Sequence, residues 1–256
     1  MKLIRYTLNN APEDIRFGVL KDKEIFSIEG DVFSGKFQIG SLASTLDAVT
    51  LKAPCLPSKV VGIAINFEGI DNFSAEMAEP MVFVKPASCV CGPYSEVKNP
   101  FPELKWWGEA ELAVVIGKMV KNITEEDASD AVFGFTIAND TTVENINSRD
   151  HHLARAKCPD DFCAIGPWID TDFDASNCLI EAIQNGQVIR KGMSSDQFWQ
   201  WPKIISWLST WMTLLPGDVV LTGNPPDTVG MRYLESGDTY TAKVHGLGEL
   251  TNKFIC

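Results

Sequence analysis

Basic residues, long apolar runs and histidines are all scarce in this chain. Its 22 lysines and arginines face 34 aspartates and glutamates, so the formal net charge is −12 over 256 residues. A surface that follows phosphates needs clustered basic side chains, so we do not expect a nucleic-acid partner. No apolar run approaches the ~18–20 residues of a transmembrane helix, and the first residues lack the apolar core of a signal peptide. We therefore expect a cytoplasmic protein that does not contact membranes.

Regularly spaced cysteines are also missing. The seven cysteines are odd in number, and Cys89 and Cys91 form an isolated C-x-C with no second pair nearby. Cys158 and Cys163 lie near two histidines, but this set lacks the four-ligand spacing of structural zinc sites. Without an export signal, such cysteines are expected to be reduced thiols. The sequence thus favours neither disulfides nor a zinc site.

The order of predicted elements indicates two parts. Residues 1–52 hold short strand-like runs and a short predicted helix at 44–49, and we interpret them as a small N-terminal lobe. Pro54 and Pro57 punctuate the chain at the start of a main domain at 53–256. In that domain strands outnumber helices and do not alternate with them regularly, which argues against a doubly wound sheet or a TIM barrel. The expected fold class is α+β, mainly β.

Helices are predicted at only a few places in the main domain. Thr124 to Asp127 resembles a capping box with Asp in the place of Glu, and it predicts the start of a short helix. Pro202 suits the first turn of a longer helix. The polar stretch 142–156 is expected to be partly helical.

Two glutamates on one strand are the most informative local pattern. Glu109 and Glu111 are two residues apart, so in a strand both side chains project to the same face. Adjacent carboxylates repel each other, and a hard divalent cation with oxygen ligands would compensate. The alternative is that both glutamates face water at the edge of a sheet.

Three further residues stand where strands end or loops begin. Asp140 closes an apolar run, Lys157 follows 17 residues later, and Thr222 ends a strand-like run just ahead of a tight turn. Taken singly, Asp140 could be a turn residue and Lys157 a partner in a surface salt bridge. The order of all these residues along the chain carries more information than any one of them.

Taken together, these segments resemble the fumarylacetoacetate hydrolase family. The resemblance covers roughly residues 59 to 256, and every piece occurs in the family's order at compatible spacing. The matching segments are Gly62 to Asn66, Phe83 to Pro86, Gly108 to Gly117, Gly134 to Asp140, Lys157 to Trp168 and Pro216 to Pro225. Each segment alone is modest evidence, whereas the ordered set is specific.

The resemblance implies a fold and a site. The fold would be the family's mixed β-sandwich or β-roll behind a small N-terminal lobe, and the protein would be a homodimer. A Mg²⁺ or Mn²⁺ ion would be held by Glu109, Glu111 and Asp140. Lys157 would be catalytic beside the metal. Thr222 would touch the substrate, and Lys85 would border its pocket.

The chain departs from the family's usual pattern in three segments. Hydrolytic members carry a lid with a His followed three residues later by a Glu, a pair that activates water, whereas Ile70 stands at the His position here. Glu68 and Asp71 are the nearby carboxylates that could substitute. Glu144 stands where an Arg is usual, and Asn224 replaces a usual Thr. These departures weaken the hydrolase interpretation.

Three functions follow, in order of preference. The first is a divalent-metal-dependent enzyme that isomerises or decarboxylates a 2-oxo or 2-hydroxydienoic acid or diacid through a metal-stabilised enolate. This activity needs no activated water, and the missing His favours the isomerase and decarboxylase branch. The second is a C–C bond hydrolase of acylpyruvates that uses a base other than His. The third is a homologue that binds a metal or a small acid without turnover.

Overall fold

The computed structural model describes residues 1–145 and 149–256, and it is built mainly from strands. Its α-helices are α1 (Ala128–Ala131), α2 (Ala154–Lys157) and α3 (Trp201–Trp211). The strands are β1 (Lys2–Leu8), β2 (Ala11–Lys21), β3 (Glu24–Asp31), β4 (Lys36–Thr45), β5 (Val49–Lys52), β6 (Lys59–Ala64), β7 (Met81–Pro86), β8 (Val90–Cys91), β9 (Glu96–Lys98), β10 (Trp106–Trp107), β11 (Ala110–Ile116), β12 (Val132–Asp140), β13 (Thr142–Val143), β14 (Cys163–Asp170), β15 (Leu179–Gln184), β16 (Gln187–Met193), β17 (Val219–Leu221), β18 (Thr239–Val244) and β19 (Gly248–Ile255). This content confirms the predicted α+β, mainly β class.

Two mixed sheets carry most of these strands. The larger sheet has the order β4-β3-β2-β1-β14-β12-β11-β17-β6-β7, with β5 beside β1 and β8 beside β14. Most of its neighbours are antiparallel, but β17 runs parallel to β6. The second sheet has the order β16-β15-β18-β19-β9. Side chains of the two sheets meet in a shared hydrophobic core, which gives the β-sandwich expected from the resemblance.

The N-terminal strands continue the larger sheet. Strand β1 pairs with β14 through Lys2 opposite Asp170 and Leu3 opposite Ile169. The lobe and the main domain therefore share backbone hydrogen bonds, and the boundary between residues 52 and 53 stays a prediction. The helix expected at 44–49 is wrong in extent, because β4 runs on through Thr45 and only Leu46 to Ala48 form a 3₁₀ turn.

Strand β11 lies deep inside the larger sheet, between β12 and β17. Every residue of it is buried. Leu112 and Val114 belong to the core between the sheets, while Ala113 and Val115 belong to a second core on the opposite face. The face that carries Glu111 is thus covered by protein, which excludes the alternative of a water-facing sheet edge.

The helices only partly follow the sequence prediction. Helix α3 begins as expected, with Pro202 in its first turn and Ile204, Ile205 and Leu208 buried in the core. The Thr124 hydroxyl accepts a bond from the Asp127 amide, but regular helix starts only at Ala128 and lasts one turn. The stretch 142–156 contains the start of α2, and its residues 146–148 lie outside the described residues. None of the three described α-helices is long and apolar enough to cross a bilayer.

Candidate active site

The three predicted metal ligands converge because β11 and β12 are hydrogen-bonded neighbours. Asp140, the last residue of β12, donates its backbone N–H to the carbonyl of Glu109, just ahead of β11, at 2.9 Å. Glu111 follows two residues later on the same face. Ligand oxygens of Glu109, Glu111 and Asp140 all lie within 4.8 Å of one another. The three carboxylates thus lie together, and their role as metal ligands stays a prediction.

Each carboxylate of this cluster is held by at least one donor. Glu109 accepts from the indole Nε1 of Trp107 and from the Lys157 ammonium, both at 2.7 Å. Asp140 accepts from the ammonium groups of Lys157 and Lys85, one on each carboxylate oxygen. Glu111 accepts from the backbone N–H of Gly223. These contacts leave lone pairs on the carboxylate oxygens, since each oxygen can accept more than one bond.

The Gly223 amide reaches Glu111 because of a close approach between two loops. Gly223 has φ +103°, and a Cβ on it would lie 2.7 Å from the Cβ of Asn66. Asn66 in turn holds the loop by donating to the Thr222 carbonyl at 2.7 Å. Its side chain also bonds the backbone of Trp199 in both directions. Asn66 is therefore a positioning residue, which the sequence analysis noted only as part of a matching segment.

Burial and neighbouring charges shift the pKa values of Glu109 and Glu111 in opposite directions. Burial by itself raises the pKa of Glu109, but the charge and hydrogen bond of Lys157 outweigh it and lower that pKa to about 2. Burial, then the charges of Asp140 and Glu109, raise the pKa of Glu111 well above its ordinary value. Burial acts to lower the pKa of Lys157, yet Asp140 and Glu109 raise it overall. Lys157 is thus held in its cationic form, and Glu111 binds a proton more tightly than an isolated glutamate does.

A cavity of about 370 Å³ opens onto the cluster. Its lining includes Glu109, Glu111 and Lys157, while Asp140 is fully buried against them. The other lining residues are Ile63, Ala64, Ile65, Ile70, Asp71, Asn72, Met81, Phe83, Trp107, Thr142, Leu153, Arg190 and Asn224. The volume lies at the small end of the range for ligand sites.

Two predicted site residues lie behind the cavity wall. Lys85 is fully buried and donates to Asp140, to the Phe162 carbonyl at 2.7 Å and to the Thr141 carbonyl at 3.3 Å. Thr222 is also fully buried, and its hydroxyl donates to the Leu112 carbonyl at 2.9 Å. Among the described residues that line the cavity, neither appears. Lys85 thus contacts Asp140, a predicted metal ligand, and does not border the cavity. A substrate contact by Thr222 stays a prediction.

The segment after β6 forms another part of the cavity wall. Ile65 has φ +56°, a strained value for a β-branched residue, and it turns the chain so that Ile70, Asp71 and Asn72 reach the cavity. Glu68 faces a separate groove beside Lys191 and Asp196. Of the two carboxylates considered as substitutes for the missing His, Asp71 is the one on the cavity.

Trp107, Arg190 and Asn224 complete the wall. The sequence marks Asn224 only as a departure from the family, and it predicts no role for Trp107 or Arg190. Arg190 comes from β16 of the second sheet and forms an ion pair with Asp227 at 2.7 Å. No local signal marks Arg190, because the packing of the two sheets brings it to the site. Glu144, where the family usually has Arg, is exposed and lies outside the cavity lining.

Two models of known protein families match the sequence of this chain. The sequence model for the C-terminal part of fumarylacetoacetate hydrolase matches residues 59–255. The chain belongs to the fumarylacetoacetate hydrolase family. A second model, the N-terminal part of Rv2993c-like proteins, matches residues 1–54, the strands that extend the larger sheet.

Several relatives in this family have named activities, and these relatives are enzymes. Human mitochondrial oxaloacetate tautomerase FAHD2A is 36% identical over 228 residues, covering 81% of this chain and 70% of its own. A 5-carboxymethyl-2-hydroxymuconate delta-isomerase from Mycobacterium smegmatis superposes with TM-score 0.89 at 32% identity, covering 100% of this chain and 99% of that one. A maleylpyruvate hydrolase from Sphingobium sp. SYK-6, solved with manganese(II) and pyruvate, gives TM-score 0.78 at 26% identity over 100% and 99% of the two chains.

Proposed function

We propose that this protein is a divalent-metal-dependent enzyme that isomerises or decarboxylates a 2-oxo or 2-hydroxydienoic acid, with keto–enol tautomerisation as its simplest reaction. The observation that carries the proposal is the buried cluster of Glu109, Glu111 and Asp140 beside Lys157, at the floor of a small cavity. The tautomerase and isomerase relatives carry out reactions of this kind.

The cluster fits a hard divalent cation by its charge and its donor atoms. Its three carboxylates outnumber the two ammonium groups of Lys85 and Lys157 that contact them. The raised pKa of Glu111 means that this carboxylate binds a proton more tightly than an ordinary glutamate does. A cation with a preference for oxygen ligands, Mg²⁺ or Mn²⁺, would replace that proton. When bound, it would supply Lewis-acid polarisation of the 2-oxo group.

Lys157 would act on the substrate oxygen at which negative charge develops. Asp140 and Glu109 keep its ammonium group protonated, so it donates hydrogen bonds and does not serve as a base. A preorganised donor aimed at a developing oxyanion stabilises the transition state more than the ground state. Lys85 and Gly223 would hold Asp140 and Glu111 in place beneath it.

Hydrolysis of acylpyruvates is the second candidate function. The maleylpyruvate hydrolase relative favours it, since its fold matches this chain over its full length. Ile70, however, lies on the cavity wall where the family's water-activating His is expected. Without an imidazole there, general-base assistance worth about 10²–10⁴-fold is missing. Hydrolysis is therefore expected to be the slower reaction.

A substrate panel tests the proposal directly. Wild type with and without added Mg²⁺ or Mn²⁺ would be assayed on oxaloacetate for tautomerisation and decarboxylation, on a hydroxymuconate-type dienoate, and on an acylpyruvate for hydrolysis. Metal-dependent turnover of oxaloacetate or the dienoate that disappears in Glu111→Gln supports the proposal. The exposed Glu13→Gln variant is the matched control. Turnover of neither compound under any metal condition would leave a binding protein without catalysis.

The homodimer stays a prediction.

A further inference from the structure

Arg190 is a buried cation of the cavity to which the proposed reaction assigns no role. It lies on β16, and only 8% of its side chain is exposed. It lines the same cavity as Glu109 and Lys157. Its positive charge is among the causes that lower the pKa of Glu109.

The donors of Arg190 are less fully used than those of the two lysines. The Lys85 ammonium donates to three protein oxygens and the Lys157 ammonium to two, so that Lys157 keeps a single donor for the substrate. Arg190 bonds the Asp227 carboxylate through Nε at 2.7 Å, whereas its Nη2 lies 3.1 Å from the sulfur of Met231. A thioether is a weak acceptor, and a guanidinium carries five N–H donors. A second carboxylate would be a much better acceptor for the terminal nitrogens.

Asn224 gives an independent sign that this cavity takes a polar ligand. It lines the cavity, is 9% exposed, and its Oδ1 has no hydrogen-bond partner among the described residues. A buried amide oxygen without a partner costs free energy, so a ligand with polar atoms is favoured over an apolar one.

We propose that Arg190 binds the distal carboxylate of the substrate and makes the enzyme selective for 2-oxo diacids over 2-oxo monoacids. The inference rests on the proposed function, because it names the protein group that binds the end of the substrate away from the carboxylate cluster. A planar guanidinium matches a carboxylate with two parallel bonds, which an ammonium group cannot do. Arg190, Glu109 and Glu111 line one cavity of about 370 Å³, so a ligand whose 2-oxo end lies at the two glutamates would present its second carboxylate to Arg190.

Equilibrium binding separates this role from catalysis. L-malate and L-lactate are 2-hydroxy acids that cannot enolise, and a carboxylate on malate is the main difference between them. Calorimetric titration of the Mg²⁺-loaded protein is expected to give tighter binding of malate. Arg190→Met should weaken malate binding by roughly 10–100-fold, the range for a lost hydrogen bond to a charged group, and change lactate binding by less than threefold. Equal losses for both ligands, or no loss for either, would overturn the proposal.

Two further variants guard against a purely structural role of Arg190. Asp227→Asn removes its ion-pair partner and leaves the guanidinium, so malate binding should hold or tighten. If this variant loses the malate preference as Arg190→Met does, the ion pair and not the substrate contact is what matters. Arg232→Met is the matched control. Arg232 is exposed, and it contacts Gln187 of β16, the strand that also carries Arg190.

The kinetic readout distinguishes failure of this inference from failure of the proposed function. Deuterium incorporation at C3 would be followed by NMR for oxaloacetate and for pyruvate, its monoacid counterpart. Arg190→Met should slow exchange of oxaloacetate at low concentration by roughly 10–100-fold and leave pyruvate within threefold. Exchange of neither compound by the wild type would contradict the proposed function, whereas an equal loss for both would contradict the role of Arg190.

Discussion

Two parts of the cavity wall differ in how their side chains are held. At the carboxylate cluster, Glu111, Asp140 and Lys157 are buried, and each makes a charge-assisted hydrogen bond. In the segment after β6, Asp71 and Asn72 are exposed, and among the described residues no side-chain bond fixes either one. The charged groups of the cluster are held in fixed positions, whereas residues of the segment can be substituted without breaking a contact of the cluster. We infer that the cluster determines the chemistry shared with the family and that the segment determines which reaction follows.

The largest effect is expected where the cluster is most deeply buried. Lys85→Met would leave Asp140 without its fully buried partner, and breaking such a pair costs about 3–5 kcal/mol. Chemical denaturation without added metal measures the free energy of unfolding. Lys253→Met, at an exposed ion pair, is the control and should change stability by less than about 1 kcal/mol. A loss that small at Lys85 would mean that the cluster is less rigidly held than its contacts indicate.

Lys157→Met tests the catalytic side of the same cluster. Removing one preorganised donor typically lowers kcat by about 10²–10³-fold, and we expect a loss of this size with little change in KM. Metal binding should survive, since the three carboxylates remain. Steady-state kinetics at saturating Mg²⁺ on an active substrate provide the measurement. A rise in KM with unchanged kcat would instead assign Lys157 to ground-state binding.

The raised pKa of Glu111 links metal binding to pH. Its pKa is raised in the folded protein, so the metal-free protein gains stability from this group at low pH and loses it as pH rises through the raised value. A cation competes with the same proton, so apparent metal affinity should fall by up to about tenfold per pH unit below that value. Thermal unfolding with and without Mg²⁺, recorded from acid to alkaline pH, measures both effects. Glu111→Gln should remove most of the pH dependence, and a wild-type metal shift that does not vary with pH would contradict the linkage.

A substitution in the segment after β6 tests whether this segment determines which reaction follows. Ile70→His introduces an imidazole at the cavity wall, where it could act as a general base toward water. We expect acylpyruvate hydrolysis to rise by about tenfold, less than the full contribution of a general base, because Phe73 stands where the family's Glu, three residues after the His, would be. Tautomerisation should change little. If hydrolysis by the wild type already equals tautomerisation, another residue activates water and the second candidate function becomes the better one.

Asp71→Asn should have the smallest effect. The carboxylate is exposed at the cavity, and water can reach the same position, so tautomerisation should fall by less than about threefold. The measurement is the initial rate beside Asn72→Ala, a neighbour that also lines the cavity. A loss of a hundredfold at Asp71 would identify it as the proton acceptor and would make the segment part of the chemistry.

Much of the carboxylate cluster was predictable because its residues follow from strand periodicity and from an ordered resemblance. Glu109 and Glu111 share a face by their spacing alone, and the resemblance implied that Asp140 and Lys157 join them. The burial of Lys85 and Thr222 was not predictable, because a residue's depth depends on which strands cover it. Arg190 was missed for the same reason, since it reaches the site only through the packing of one sheet on the other. Long-range packing of this kind leaves no local pattern in the sequence.

The position of β17 has a consequence for how the protein is made. This strand lies between β11 and β6, and it can join them only once the 102 residues that separate it from β11 have been synthesised. Until then, the hairpins β6–β7 and β11–β12 each present an unpaired edge of apolar residues, the kind of surface that pairs with other chains. The Gly223 amide that holds Glu111 lies 112 residues away from it in the chain. A nascent chain that already contains all three carboxylates but not β17 therefore still exposes these edges, and chaperones that cover strand edges should raise its yield more than added metal does.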